Sequence, residues 1–206
     1  MKQNKIFQVL VAALIGLLTQ SAHAVFIDQG TSVMDTNTNL EWLKLSSTDA
    51  MSYNQAGATY AADGWAYATE AQYLSMFDAF FPSFVDSGSG VQSVYDAATM
   101  SDAAYVASLF GITASSTLAY YTYGMFMGSD NNIKYGGVQI GTTYANLHRY
   151  KTTSFTTDTV HASLGVFMVK YVPPPEEKPA PLTEPASLIL FGLGIIGLAV
   201  SRRKGA

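Results

Sequence analysis

The 206-residue chain has no cysteine, and 15 acidic against 11 basic side chains give a net charge of −4. Between residues 25 and 172 the imbalance is sharper, with 5 Lys or Arg against 12 Asp or Glu, a net −7. Such a surface excludes nucleic acid as a partner, because phosphate binding needs clustered Lys and Arg. Without disulfides, burial alone must hold the fold.

The first element is an export signal. Lys2 and Lys5 form a basic start, Ile6 to Leu18 an apolar core, and Ala22-His23-Ala24 a small-x-small cleavage site. The apolar stretch is too short for a retained transmembrane helix. Residues 1–24 therefore read as a signal peptide cut after Ala24, with Ala22 and Ala24 as its recognition positions. Residues 25–172 remain as one domain, long enough for a real core.

Within that domain, 31–45 predicts two short strands around the turn formers Asp35 to Asn39. Ser52 and Gln55 make a capping-box pair, and Tyr53, Ala56, Gly57 and Tyr60 fall on one helical face that Gly64 ends. Thr69 and Gln72 open a second helix, with Leu74, Phe77 and Phe81 in register and Pro82 as its stop. A third helix is expected from Asp102 to Phe110, closed by Gly111. Strands follow at 117–127, 133–140 and 142–147, with a turn at 128–132, and 164–171 closes the domain. Helices first and strands second predict an α+β domain, its helices packed on one mainly antiparallel sheet.

Beyond Val172 the composition changes. Pro173, Pro174, Pro175, Pro179, Pro181 and Pro185 alternate with Glu176, Glu177 and Lys178, which predicts a polyproline-II spacer over 173–185. Ala186 to Val200 carries no charge and would reach roughly 22 Å as a helix, short against a bilayer core of ~30 Å. Gly192, Gly194 and Gly197 weaken it further as an anchor. Arg202, Arg203 and Lys204 would hold the far end in the cytoplasm.

Glu184-Pro185-Ala186-Ser187, the apolar run 186–200 and the basic close together resemble the PEP-CTERM sorting signal, here spanning 184–206. Thr183 stands where that signal usually has Pro. The resemblance implies an exosortase-type processing partner and a transient inner-membrane stage with a periplasmic domain. It also implies a final place at the cell surface or outside the cell, alongside exopolysaccharide.

A second resemblance lies in Met34-Asp35-Thr36-Asn37-Thr38-Asn39-Leu40-Glu41-Trp42-Leu43, in Ser52-Tyr53-Asn54-Gln55-Ala56, in Gly64-Trp65-Ala66-Tyr67-Ala68-Thr69-Glu70-Ala71-Gln72 and in Gly165 to Lys170. These blocks are similar to the opening and closing of the Lcl C-terminal (collagen-like-adhesin C-terminal) domain, and cover about half of 25–172. The order helix, Gly-Trp, helix is also similar to the first half of a C-type-lectin-like fold, without that fold's cysteines. By their own chemistry, Trp42 and Trp65 read as packing residues, Gly64 as a helix cap, and Asp35 and Asn37 as ligands of their own turn.

Catalytic signals are sparse. His148 and His161 are the histidines left after signal cleavage, and a two-His metal site would need added carboxylates such as Asp158. Asp86-Ser87-Gly88-Ser89-Gly90 is not a nucleophile elbow. Asp130-Asn131-Asn132 lacks the alternating acids of a calcium loop. No catalytic residue, metal ligand or cofactor is therefore assigned. Tyrosines crowd the second half instead, and alternation puts Tyr121 and Tyr123 on one strand face and Tyr120 on the other. Tyr121, Tyr123, Tyr135 and Tyr144 are the candidate glycan contacts, set against the reading that they merely pack the core. The expectation is a non-enzymatic exported protein that binds exopolysaccharide or another matrix component. An enzyme acting on that polysaccharide and a self-assembling structural protein are the alternatives.

Overall fold

The computed structural model describes residues 26–86 and 90–174. Contacts divide the chain into two units, Met1–Val172 and Pro173–Ala206. The expected terminal apolar helices lie outside the described residues. Among the described residues no helix is long and apolar enough to cross a membrane.

The helices begin where local chemistry starts them. In α1 (Tyr53–Tyr60), Ser52 accepts from the Gln55 backbone N–H, and the Gln55 side chain accepts from the Ser52 N–H. The same reciprocal box at Thr69 and Gln72 opens α2 (Glu70–Phe80), satisfying donors that a helix start leaves free. After α1 a short 3-10 turn, Ala61–Asp63, ends at Gly64, whose φ of 83° suits a residue without a side chain. The third helix, α3 (Ala97–Phe110), starts five residues before Asp102 because Asp96 caps it, accepting from the Thr99 N–H. Of the residues expected in register on α2, Phe77 and Phe81 are buried and Leu74 is half-buried against the same cluster, to which Tyr73 and Met76 add.

The strands form two sheets rather than one. The first contains β1 (Phe26–Asp28), β2 (Ser32–Asp35), β3 (Leu40–Leu43), β4 (Ala66–Tyr67) and β11 (Met168–Tyr171), in the order β1-β2-β3-β11-β4, all antiparallel. The second contains β5 (Val91–Val94), β6 (Ala114–Ser115), β7 (Ala119–Met127), β8 (Ile133–Gly141), β9 (Ala145–Thr152) and β10 (Gly165–Val166). Its order is β10-β7-β8-β9-β5, with β6 also on β7. The β10–β7 pairing is parallel, as is an isolated bridge from Thr69 to Met127 at the end of β7. These mainly antiparallel sheets with a few short helices make an α+β fold.

The expected closing strand 164–171 is thus two strands. The chain leaves the second sheet at Val166, and Phe167 donates its N–H to Met125 O while its carbonyl accepts from Ala68 N. It then joins the first sheet as β11. Side-chain alternation holds through this crossing. Val166 and Met168 belong to one apolar cluster with Tyr53, Trp65 and Met125. Phe167 points the other way, into a larger cluster of Trp42, Tyr73, Phe110 and Phe126. The ring of Phe167 meets each of those four aromatics at centroid distances of 4.9–6.5 Å. One face of the second sheet therefore packs on α2 and α3. Its opposite face is covered by α1 and its neighbours over part of its width, and there the cleft opens.

Candidate functional site

The uncovered face of the second sheet is built by alternation on β7. Tyr121 and Tyr123 project to this side. Tyr120 packs against the main core, and the Thr122 hydroxyl donates to Gly111 O at 2.9 Å. Tyr135 arrives from β8, where it lies opposite Met125. The Tyr121 and Tyr123 rings stand 5.7 Å apart, and Tyr123 meets Tyr135 edge to face at 5.5 Å. Tyr123 is buried as the floor, while Tyr121 and Tyr135 are half-exposed walls.

The other wall comes from the loop 153–164, in which the sequence offered His161 and Asp158 as metal candidates but no cleft wall. It contributes Phe155, His161, Ser163 and Leu164, and together with the three tyrosines these enclose an open cleft of about 220 Å³. The loop is tied at both ends. Thr153 donates through N–H and hydroxyl to Ile133 O, and Thr113 Oγ1 donates to Ser163 O at 2.9 Å. Its middle is held to α1, where the Asn54 side chain donates to Thr157 Oγ1 and to Asp158 Oδ1 at 2.7 Å. His161 packs on Phe155 at 5.4 Å. Its Nδ1 accepts from the Ser163 N–H at 3.3 Å.

Beneath the tyrosines lies His148, on β9 opposite Gly137. With no side chain at Gly137, Tyr123 reaches over to the imidazole at 4.8 Å, and Tyr135 stacks on it at 5.9 Å. Burial, with a smaller push from the Lys151 cation, lowers the His148 pKa to about 4, so the ring is neutral near pH 7. Burial raises the Tyr123 hydroxyl well above its ordinary range, with Tyr135, Tyr121 and Tyr144 adding to the effect. The floor of the cleft is therefore aromatic and uncharged. The seven residues lining the cleft include no carboxylate, so the lining holds no pair of acids of the kind used in glycoside cleavage. Such a surface can stack an apolar ring face and offer hydroxyl and imidazole N–H groups at the rim.

The other sequence candidates fall in different places. Tyr144 does not line the cleft; it covers Gly141 at the β8–β9 turn, and its hydroxyl accepts from Gln139 Nε2 at 3.2 Å. His148 and His161 are separated by role, one a buried support and the other a loop wall, and Asp158 is engaged with Asn54. Among the described residues no group of three or more His, Asp or Glu could hold a metal ion. Asp130 accepts from the Asn132 N–H within its own turn. Asp35 likewise accepts from the Asn37 N–H and the Thr38 hydroxyl. Trp42 is core, 1% exposed, and Trp65 carries the Lys170 ammonium over its ring at 4.6 Å.

The signal-cleavage residues Ala22 and Ala24 lie outside the described residues. So do Glu184, Pro185, Ala186, Ser187, Arg202, Arg203 and Lys204, the apolar segment 186–200 and the spacer from Pro175 onward. No curated protein and no solved structure matches the chain. The PEP-CTERM protein-sorting motif is found at residues 181–204, which marks an exported protein sorted by an exosortase.

Proposed function

We propose that the domain is a non-catalytic glycan-binding module, carried through the inner membrane and released or displayed at the cell surface, where it engages exopolysaccharide. The observation that carries this reading is the cleft itself. Three tyrosines from two neighbouring strands and two aromatic rings from a tethered loop surround one open concavity without a carboxylate. Aromatic faces suit the apolar faces of sugar rings, and the absence of carboxylates in the cleft suits binding without cleavage. A likeness to the Lcl C-terminal and C-type-lectin-like domains is part of the same proposal. It is supported by β3 lying beside β11, which puts the opening and closing strands together with the helices between them.

The test is titration of the mature exported chain against the producing cell's own exopolysaccharide, followed by sizing of the polymer. Saturable binding that weakens at least tenfold in Tyr121→Ala, with polymer length unchanged, is expected. Shortened polymer would make the protein an enzyme. Concentration-dependent assembly without polymer binding would favour the structural alternative.

A further inference from the structure

A row of uncharged polar side chains continues the tyrosine cleft across the sheet. Gln139 on β8 lies directly opposite Tyr121, Asn146 on β9 lies opposite Gln139, and Ser93 on β5 lies opposite Asn146. All three project to the cleft side, since they share register with Tyr121 on successive strands. They are joined head to tail. The Ser93 hydroxyl donates to Asn146 Oδ1 at 2.7 Å. Asn146 Nδ2 donates to Gln139 Oε1 at 3.1 Å, and Gln139 Nε2 donates to Tyr144 Oη at 3.2 Å. Ser93 is exposed, and Asn146, Gln139 and Tyr144 are half-exposed.

We infer that this row is an extension subsite, and that the ligand of the cleft is a neutral, hydroxyl-rich polymer lying across the strands. The inference rests on the glycan-binding reading above. Each amide in the row spends one N–H on its neighbour and keeps a second, while the Tyr144 hydroxyl proton and the spare lone pairs of Ser93, Asn146 and Gln139 stay open. A sugar hydroxyl both donates and accepts, so alternating donors and acceptors meet it at either end. The neighbours already fix one another's rotamers, so little side-chain freedom is lost when a ligand settles. With strands about 4.8 Å apart, the row from Gln139 to Ser93 spans about 10 Å, enough to run under consecutive sugar rings. Nothing in the row is charged, so it offers no cation to a uronate or sulfate. The net −7 of residues 25–172 also disfavours a polyanion. Tyr144, which does not line the cleft, gains a role here as the end of the row.

The experiment is calorimetric titration of the mature exported chain with neutral gluco-oligosaccharides of one to six units, and with alginate oligomers of the same lengths. Wild type, Ser93→Ala/Asn146→Ala and Tyr121→Ala are compared, with thermal melts to establish that each variant folds. Wild type should bind the neutral hexamer at least tenfold more tightly than the neutral dimer, and alginate more weakly than either. The Ser93→Ala/Asn146→Ala variant should lose that gain with length and keep the dimer affinity, whereas Tyr121→Ala should weaken every length. If the double variant melts early, Gln139→Glu provides the second reading, because a carboxylate there should weaken the hexamer selectively. Neutral binding with no length dependence, or with a length gain that survives in the double variant, would overturn the subsite and leave the cleft standing. Tighter binding of alginate would overturn the neutral-ligand claim. No binding of any oligomer would remove the glycan reading and the subsite together.

Discussion

Tyr73, fully buried on α2, donates its hydroxyl proton to the backbone carbonyl of His148 at 2.8 Å. The bond joins the core side of the second sheet to the strand that carries the imidazole under the tyrosine cleft. It is possible because Gly136 leaves the space open; a side chain there would land on the Tyr73 hydroxyl. At the same place β8 and β9 shift register between Tyr135 and Gly137, and Gly137 takes a φ of 131°, a value that favours glycine. Tyr73→Phe should cost about 1–2 kcal/mol, since it removes one buried hydrogen bond. Gly136→Ala should cost more, about 2–4 kcal/mol, because it displaces the ring as well as the hydroxyl. Urea denaturation of both variants gives the order, and an alanine variant as stable as wild type would mean that Tyr73 does not occupy this space.

The His148 imidazole makes stability depend on pH in a defined direction. Its pKa is about 4 in the folded chain against about 6.5 for an unperturbed histidine. Below about 6.5 the unfolded chain takes up a proton that the folded chain refuses, so stability falls as pH drops towards 4. The full difference is on the order of 3 kcal/mol. His148→Gln should flatten this part of the profile while leaving the carboxylate contributions in place. Guanidinium denaturation at pH 7 and pH 4.5 for both proteins measures it, and an unchanged slope in the variant would show that the ring is not held neutral by burial.

What the sequence made legible is what short-range chemistry decides. Ser52 with Gln55 and Thr69 with Gln72 place two helix starts, because a capping box is complete within four residues. The Asp35–Asn39 turn and the facing of Tyr121 and Tyr123 follow from the same local rules. The missed features depend on partners far along the chain. Asp96 looked like one more acid in an acidic domain, and its cap shows only once the helix behind it is seen. The run 164–171 has unbroken alternation, so nothing in it marks Phe167 as the point of crossing between sheets. Phe155 and His161 sit in a Thr-rich loop without periodicity, and they reach the cleft only because Asn54, some hundred residues away, holds the loop against α1. The amide row needed three strand registers, none of which a single segment encodes.

Glu70 and Lys134 make an ion pair at 2.7 Å with both side chains largely covered, 16% and 11% exposed. Glu70 also accepts from the Ser129 N–H, and Lys134 lies over the Tyr150 ring at 5.5 Å. The Lys134 hydrogen bond is the main cause holding the Glu70 carboxyl below its ordinary range, and Glu70 in turn raises Lys134. Glu70→Gln would leave a covered ammonium facing an amide, with Asp130 at 3.6 Å as a weaker carboxylate. The expected loss is about 2–3 kcal/mol, below the 3–5 typical of a fully buried pair because Asp130 remains. The Glu70 contribution is present above its unfolded pKa and is lost as pH falls through the lower folded value. The variant's deficit should therefore shrink in acid, and a deficit that stays constant from pH 7 to pH 3 would exclude the ion pair as its source.

Thr48 holds the crossing of the closing strand and, through it, one wall of the cleft. Its hydroxyl accepts from Val166 N at 2.7 Å and lies 3.1 Å from Val166 O and 3.2 Å from Leu45 O. A hydroxyl has one proton, so its position as acceptor for Val166 is the bond without substitute, and Thr48 is fully buried. Thr48→Val keeps the shape and leaves the Val166 N–H unpaired inside the protein, at a cost of about 1–3 kcal/mol. Leu164, two residues before Val166, lines the cleft, so the loosening should reach the site. Amide exchange at Val166 and Phe167 should speed up at least tenfold in Thr48→Val, and any glycan affinity of the cleft should fall with it. Thr48→Ser, which restores the acceptor, should recover the exchange protection. Exchange as fast in Thr48→Ser as in Thr48→Val would show that the hydroxyl acceptor alone does not protect these amides.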